Sequence, residues 1–198
     1  MEDKDIEPLP DPLELFGQWM KEAEASEPND SNAVALATAT PEGMPSVRMV
    51  LMKGVDERGL SFFTNSESQK GEELSRNPRA AMCFHWKSLQ RQVRIAGSVT
   101  ELPSLEADRY FYSRPRLSQL AATASQQSRV LPSRELLASR VKELDAEFSG
   151  EIPRPAYWKG FVLRPERIEF WKNREGRLHD RLLYLRNGDA WRNERLFP

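Results

Sequence analysis

Residues 169–181 read EFWKNREGRLHDR, and they gather Trp171, Arg177, His179 and Arg181 around one short turn. The chain has only two histidines, and one of them stands here. The pattern predicts a hairpin in which KNREG is the turn and the residues after it form a strand. Side chains two apart on a strand share a face. Arg177, His179 and Arg181 then form a cationic row, with Leu178, Asp180 and Leu182 on the opposite face. One reading makes this row a solvated basic edge, which discourages strand-to-strand aggregation. The other makes it a seat for a flat anionic ligand, with Trp171 as a wall. The motif alone leaves both open.

The composition narrows the field. A chain of 198 residues is long enough for one sizeable core. The expected organisation is a flexible tail over residues 1–10 and a single domain over 11–198. Apolar residues at 39% and charged residues at 30% suit a folded globular protein. Lys and Arg total 29 against 30 Asp and Glu, which argues against a protein that coats nucleic acid. Cys83 is the only cysteine, so an internal disulfide and a multi-cysteine metal site are both excluded. Within AAMCFHW it reads as a small buried hydrophobe. The opening MEDKDIEPLPDP lacks the apolar centre of a signal peptide. No run approaches the roughly 18 apolar residues of a membrane span. The expected location is cytoplasmic.

Along the chain, Asp11 and Pro12 predict the start of a helix carrying Leu13, Phe16, Trp19 and Met20 at helical spacing. After EPNDSN the texture becomes β-rich: AVALATAT, SVRMVLMKGV, LSFFTN, AAMCFHW and RQVRIAGSVTEL. A short helix is predicted around SESQKGEELSRNP. Further helices are predicted around SLEADRYFYSRPRLSQLAATAS and, capped by Ser133, over SRELLASRVKELDAEFS. Strands close the chain, with Asn187-Gly188 as a tight turn. Many strands with hairpin-length connections predict an α+β protein built on an antiparallel barrel.

No glycine-rich phosphate loop, metal-ligand spacing or hydrolase motif is present. Basic residues instead recur beside hydroxyl, amide and aromatic ones. In RYFYSRPRLSQL, Tyr110, Arg114 and Ser118 are spaced by fours, one face of a continuous helix, although Pro115 disfavours that continuity. Such a set grips a phosphate with donors alone. In SVRMVLMK, alternation puts Arg48 and Lys53 on opposite strand faces, suited to two neighbouring ligands. Thr64 and Lys70 flank a predicted helix start, a natural anion seat. Gln92 lies on a strand. Each of these segments alone reads as well as a solvated surface.

Taken together, EFW-x4-x-RLHDR, RMVLMK, FFTN, QKG, RQVRI, YFYSRPRLSQ and QQS resemble the pyridoxamine 5′-phosphate oxidase family, from about Asp11 to the terminal RLFP. The resemblance implies an FMN-binding split β-barrel with flanking helices, a homodimer holding FMN at the subunit interface. It implies oxidation of pyridoxine 5′-phosphate or pyridoxamine 5′-phosphate by O2 to pyridoxal 5′-phosphate, with release of H2O2 and, from the amine, NH3. No metal, nucleic acid or membrane enters that chemistry. The FMN contacts it implies are Arg48, Met49, Val50, Leu51, Met52, Lys53, Phe63, Thr64, Gln69, Lys70, Gln92, Gln127, Ser128, Trp171 and Arg181. The substrate contacts it implies are Lys53, Tyr110, Arg114 and Ser118 around the phosphate, with Arg177 and His179 as catalytic residues near the ring. The chain departs from the family pattern at Lys172, at Gln69 (where many relatives have Arg), and in its short N-terminal segment. The rivals are a flavin reductase on the same fold and a protein that only stores the cofactor. A second phosphate clamp has no use in a flavin reductase.

Overall fold

The carboxylate of Asp11 accepts the N–H of Leu13 at 2.9 Å and starts helix α1 (Pro12–Ser26). Proline fits the first turn because its missing N–H would have had no partner there. Leu15, Phe16, Trp19, Met20 and Ala23 recur at helical spacing, and all are buried. In the computed structural model, which describes residues 4–198, this helix packs on a nine-stranded antiparallel sheet. The strands are β1 (Ala33–Ala39), β2 (Pro45–Leu51), β3 (Gly54–Asp56), β4 (Gly59–Asn65), β5 (Arg79–Trp86), β6 (Arg91–Glu101), β7 (Trp158–Lys172), β8 (Asp180–Asn187) and β9 (Ala190–Arg195). Helix α2 (Gln69–Arg76) joins β4 to β5. Helices α3 (Ser104–Ser113), α4 (Arg116–Ala124) and α5 (Arg134–Glu147) lie between β6 and β7. This is the α+β split barrel that the sequence implies. No described helix is long and apolar enough to cross a membrane.

The sheet runs β2-β1-β5-β6-β7-β4-β3, and β8 and β9 branch from β7. Strand β7 is the axis of the fold. One edge pairs with β6 over most of its length, while the other pairs with β4 over residues 158–163 and with β8 over 167–172. The change of partner falls at a register shift between Ala96 and Gly97, opposite Pro165. A bulge tolerates proline, which has no ladder donor. Gly97 is required there: a Cβ would sit 1.9 Å from the carbonyl oxygen of Arg164.

Two apolar clusters result. The larger joins α1 to the sheet, with Phe16 5.1 Å from Phe84 and Trp19 edge-on to Phe170 at 5.1 Å. The smaller lies under the helices, around Ala107, Phe111, Leu120, Leu144, Ile152 and Trp158. The predicted cap at Ser133 forms, its hydroxyl accepting the N–H of Leu136. Gly188, at φ 62°, makes the final hairpin. Cys83 is half-buried, and burial pushes its thiol up.

Two expectations change. The RLHDR row does not form on a strand. Glu175–Arg177 is a short 3-10 turn, Arg177 is left-handed at φ 62°, and β8 starts only at Asp180. Gly176 is left-handed as well, so the chain reverses over three residues instead of extending. The second concerns the expected flexible tail. Its residues 1–3 lie outside the described residues, and residues 4–10 hold no helix or strand. Those residues are nevertheless docked. Ile6 is buried, its N–H donates to Asp180, and the Leu9 N–H donates to the Tyr184 hydroxyl at 2.9 Å. Arg195 also donates to Asp180, and through Nη2 to the Ile6 carbonyl at 2.8 Å.

Buried Asp180 thus clasps the N-terminal segment to β9. Hydrogen bonds to a charged group contribute about 1.5–3 kcal/mol. Asp180→Ala is therefore expected to lower unfolding stability by roughly that amount, read as a shifted urea midpoint. An unchanged midpoint would contradict this role.

Candidate functional site

Between β2, the end of β4, the start of α2 and the α3–α4 corner lies a cavity of about 730 Å³. Arg48, Met49, Val50, Leu51, Lys53, Phe63, Thr64, Gln69, Lys70, Tyr110, Arg114, Ser118, Gln127 and Ser128 all line it, as do Pro115 and Trp158. Most of the residues implied from sequence therefore meet in one place. Arg48 and Lys53 share the cavity despite the alternation argument, because β2 ends at Leu51 and Lys53 lies beyond it. Tyr110, Arg114 and Ser118 also converge, though not along one helix. Helix α3 ends at Ser113, Arg114 is extended (ψ 150°), and α4 begins after Pro115. The proline turns the corner that brings the three together. Met52 is the exception in its run, turned into the core with 6% exposure.

The cations of the cavity differ in how they are compensated. Arg48 donates to the Leu36 carbonyl at 3.1 Å and to Thr38 Oγ1 at 2.5 Å, and lies 3.5 Å from Glu73. Buried Glu73 also accepts from Thr38, from Ser46 Oγ at 2.6 Å and from Gln69 Nε2 at 2.9 Å. Burial alone would raise the Glu73 carboxyl; these hydrogen bonds and the Arg48 charge outweigh it and hold it below its ordinary value. Lys70 has no carboxylate partner among the described residues. Its Nζ donates to Gln127 Oε1 at 2.9 Å, Thr64 Oγ1 at 3.0 Å and Ser68 Oγ at 3.2 Å, all neutral. Burial, and then the Arg48 charge, push Lys70 down to about 8, against a smaller opposing effect of Glu73.

After Lys70, Arg114 is the second cavity cation withdrawn from solvent without compensation. No carboxylate pairs with it among the described residues, its Nη1 is buried without a hydrogen-bond partner, and burial holds its pKa below the ordinary value. Its guanidinium lies 5.1 Å from the centre of the Trp158 ring. Trp158 stacks on Phe63 (5.4 Å, 12°), and Phe63 on Tyr110 (4.3 Å, 29°), making an aromatic wall. Trp158 was not singled out in the sequence. Its only signal there is an aromatic residue at the head of a strand.

Gln92, Trp171, His179 and Arg181 form a second group that does not line the cavity. Gln92 is in register with Trp171, and Trp171 with Arg181. The His179 ring lies 4.6 Å from that of Trp171. His179 Nδ1 accepts the Arg174 N–H at 3.3 Å, so the neutral ring carries its proton on Nε2. Arg181 donates through Nε (3.0 Å) and Nη2 (2.7 Å) to buried Glu169. Arg177 is exposed in the turn. Trp158 and Trp171 occupy opposite ends of β7. At about 3.3 Å per residue, roughly 40 Å of strand path separates them.

Fold and site together define a split-barrel protein with a cationic, aromatic-walled cavity. The pyridoxamine 5′-phosphate oxidase model matches residues 20–147, and that of the pyridoxine 5′-phosphate oxidase C-terminal dimerisation region matches 158–198. The chain belongs to the pyridoxamine 5′-phosphate oxidase family. It is 56% identical over 189 residues to the pyridoxine/pyridoxamine 5′-phosphate oxidase of Gluconobacter oxydans, covering 95% of this chain and 94% of that protein. It is 55% identical over 191 residues to the protein of the same name from Brucella anthropi, covering 94% of each. Among solved structures, PhzG from Burkholderia lata, in complex with tetrahydrophenazine-1-carboxylic acid, superposes with a TM-score of 0.92. It shares 34% identity over 97% of this chain and 95% of that one. A Nostoc punctiforme FMN-binding protein shares the fold at 19% identity and a TM-score of 0.75, over 97% of this chain and all of that one.

The depressed pKa of Lys70 makes the stability of the folded chain depend on pH. Between about pH 8 and the ordinary lysine value of 10.5, the unfolded chain binds a proton that the folded chain has released. Lys70 therefore makes the ligand-free protein more stable as pH rises through that window. Urea unfolding of the wild type and Lys70→Met at pH 7.5 and pH 10 checks this. The wild type is expected to gain relative to the variant at pH 10; parallel behaviour would refute the shift.

Proposed function

We propose that this chain is an FMN-dependent oxidase of pyridoxine 5′-phosphate and pyridoxamine 5′-phosphate. Its product is pyridoxal 5′-phosphate; O2 is reduced to H2O2, and the amine substrate also releases NH3. One observation carries this reading: the cavity holds two separate cations, Lys70 and Arg114, that are withdrawn from solvent with no carboxylate beside them among the described residues. Two phosphate-bearing ligands in one site need two such seats. The names of the relatives supply the substrates, and that of the Nostoc neighbour supports FMN.

The residues present fit FMN. A buried ammonium with only neutral partners and an orphaned guanidinium N–H are unfavourable until an anion arrives. In this proposal Lys70, with Arg48 and Thr64 beside it, takes the cofactor phosphate at the start of α2. Arg114, Tyr110, Ser118 and Lys53 take the substrate phosphate at the start of α4. That helix starts at Arg116, with Pro115 at its N-cap position and no side-chain cap, so its N-terminus is open to an anion. FMN, when bound, supplies the two-electron acceptor and passes the electrons to O2. The residues of the chain then hold the two rings in contact and exclude water.

The remaining residues come from a second copy of the chain. A homodimer fits the matched dimerisation region, and it fits the outer face of β2, where Val47 and Met49 are 68% and 64% exposed. The partner would bring Gln92, Trp171 and Arg181 to the flavin, and Arg177 and His179 to the substrate ring. His179 offers its Nε2 proton, and Arg177 a charge that the turn holds out from the sheet.

The two seats should break separately. Lys70→Ala is expected to purify without FMN, whereas Arg114→Ala retains it. Losing one charged hydrogen bond should raise KM for pyridoxine 5′-phosphate about 10- to 100-fold in Arg114→Ala. Flavin absorbance and peroxide release measure the two effects. Loss of flavin from Arg114→Ala with KM unchanged would reverse the assignment.

A further inference from the structure

Most arginines of this chain are ion-paired, including Arg48, Arg58, Arg116, Arg154, Arg181 and Arg195. Arg114 is not. An ion pair would neutralise its charge and occupy its N–H donors, which a phosphate-binding guanidinium needs free. Yet it is partly buried, and burial opposes its charge. Something has to offset that cost without taking the donors. An aromatic face does this, because the ring quadrupole attracts the cation while the in-plane N–H groups stay available.

Trp158 stands in that position. Its ring centre is 5.1 Å from the Arg114 guanidinium carbon, nearer than that of Phe111 at 6.0 Å. Trp158 is itself fixed: it is 6% exposed, stacked on Phe63, and edge-on to Phe111 at 5.2 Å. Its backbone is held as well, since its N–H donates to the Pro155 carbonyl at 2.9 Å and its carbonyl accepts from Arg154 at 2.5 Å. Lys53, which like Lys70 and Arg114 has no carboxylate partner among the described residues, lies over Tyr110 of the same stack at 5.7 Å. Of the two, the Arg114 contact is the shorter and the more buried.

We propose that Trp158 is a positioning residue for the substrate-phosphate seat, holding Arg114 oriented through its ring face. This rests on the assignment of Arg114 to the substrate phosphate. Loss of the ring face weakens the grip on any phosphorylated substrate and leaves the cofactor seat at Lys70 intact.

The test is a double-mutant cycle on the FMN-loaded enzyme, with kcat, KM for pyridoxine 5′-phosphate and flavin content measured in each variant. Trp158→Leu is expected to retain FMN and to raise KM about 5- to 30-fold, the effect falling on KM more than on kcat. Trp158→Phe, which keeps a smaller ring face and the core packing, should raise it less; it carries the test if the leucine variant does not fold. In an Arg114→Ala background the same replacements should add almost nothing, because the cation they serve is gone. A full further rise in that background, or no rise in the single variants, would overturn the proposal. If KM does not respond to Arg114→Ala either, the assignment of the substrate seat falls, and this inference with it.

Discussion

Strand β7 sets what a single chain can and cannot assemble. It carries Trp158 at one end, in the wall of the cavity, and Trp171 at the other, beside Gln92, His179 and Arg181. A paired strand cannot shorten, so these ends stay far apart. Its partners reinforce the separation: β4 holds the half nearest the cavity, and β8 the half bearing the RLHDR motif. The bulge opposite Pro165 divides the two regimes. The sequence motif with which the chain is most easily recognised therefore lies away from the cavity of its own subunit.

The distribution of charge follows a second division. Two buried carboxylates, Glu73 and Glu169, each hold an arginine against the sheet, Arg48 and Arg181 respectively. These arginines gain orientation and lose net charge. Lys70 and Arg114 keep theirs, one among neutral oxygens and the other against aromatic rings. Burying unpaired cations costs stability unless an anion completes them. The proposed ligands, each bearing a phosphate, would supply that completion, so binding and stability are coupled at these two residues.

Much of this was legible in the sequence, where local chemistry decides the structure. The caps at Asp11 and Ser133, the helical stripe of α1 and the Gly188 turn follow from rules that act within a few residues. The cavity was legible through the family resemblance more than through spacing. Spacing put Arg48 and Lys53 on opposite faces, because nothing in SVRMVLMK marks the end of β2 at Leu51. It read RLHDR as a strand, because the left-handed pair Gly176 and Arg177 leaves only the glycine as a trace. The docking of residues 4–10 depends on Asp180 and Tyr184, more than 170 positions away, and no local pattern reports it. Trp158 was missed for the same reason: its role depends on Arg114, Phe63 and Tyr110, which reach it from elsewhere in the chain.

The central claim is that one functional site is built from two chains, with Lys70 from one and Arg181 from the other. Mixed dimers test it most directly. Lys70→Ala and Arg181→Ala chains, each expected to be poorly active alone, are co-expressed with different tags and the heterodimer is isolated. If the claim holds, one of its two sites carries both changes and the other carries neither, so flavin binding and peroxide-forming turnover return in the mixture. If both residues served the same chain's site, every site would carry one defect, and the heterodimer would be as inactive as its parents.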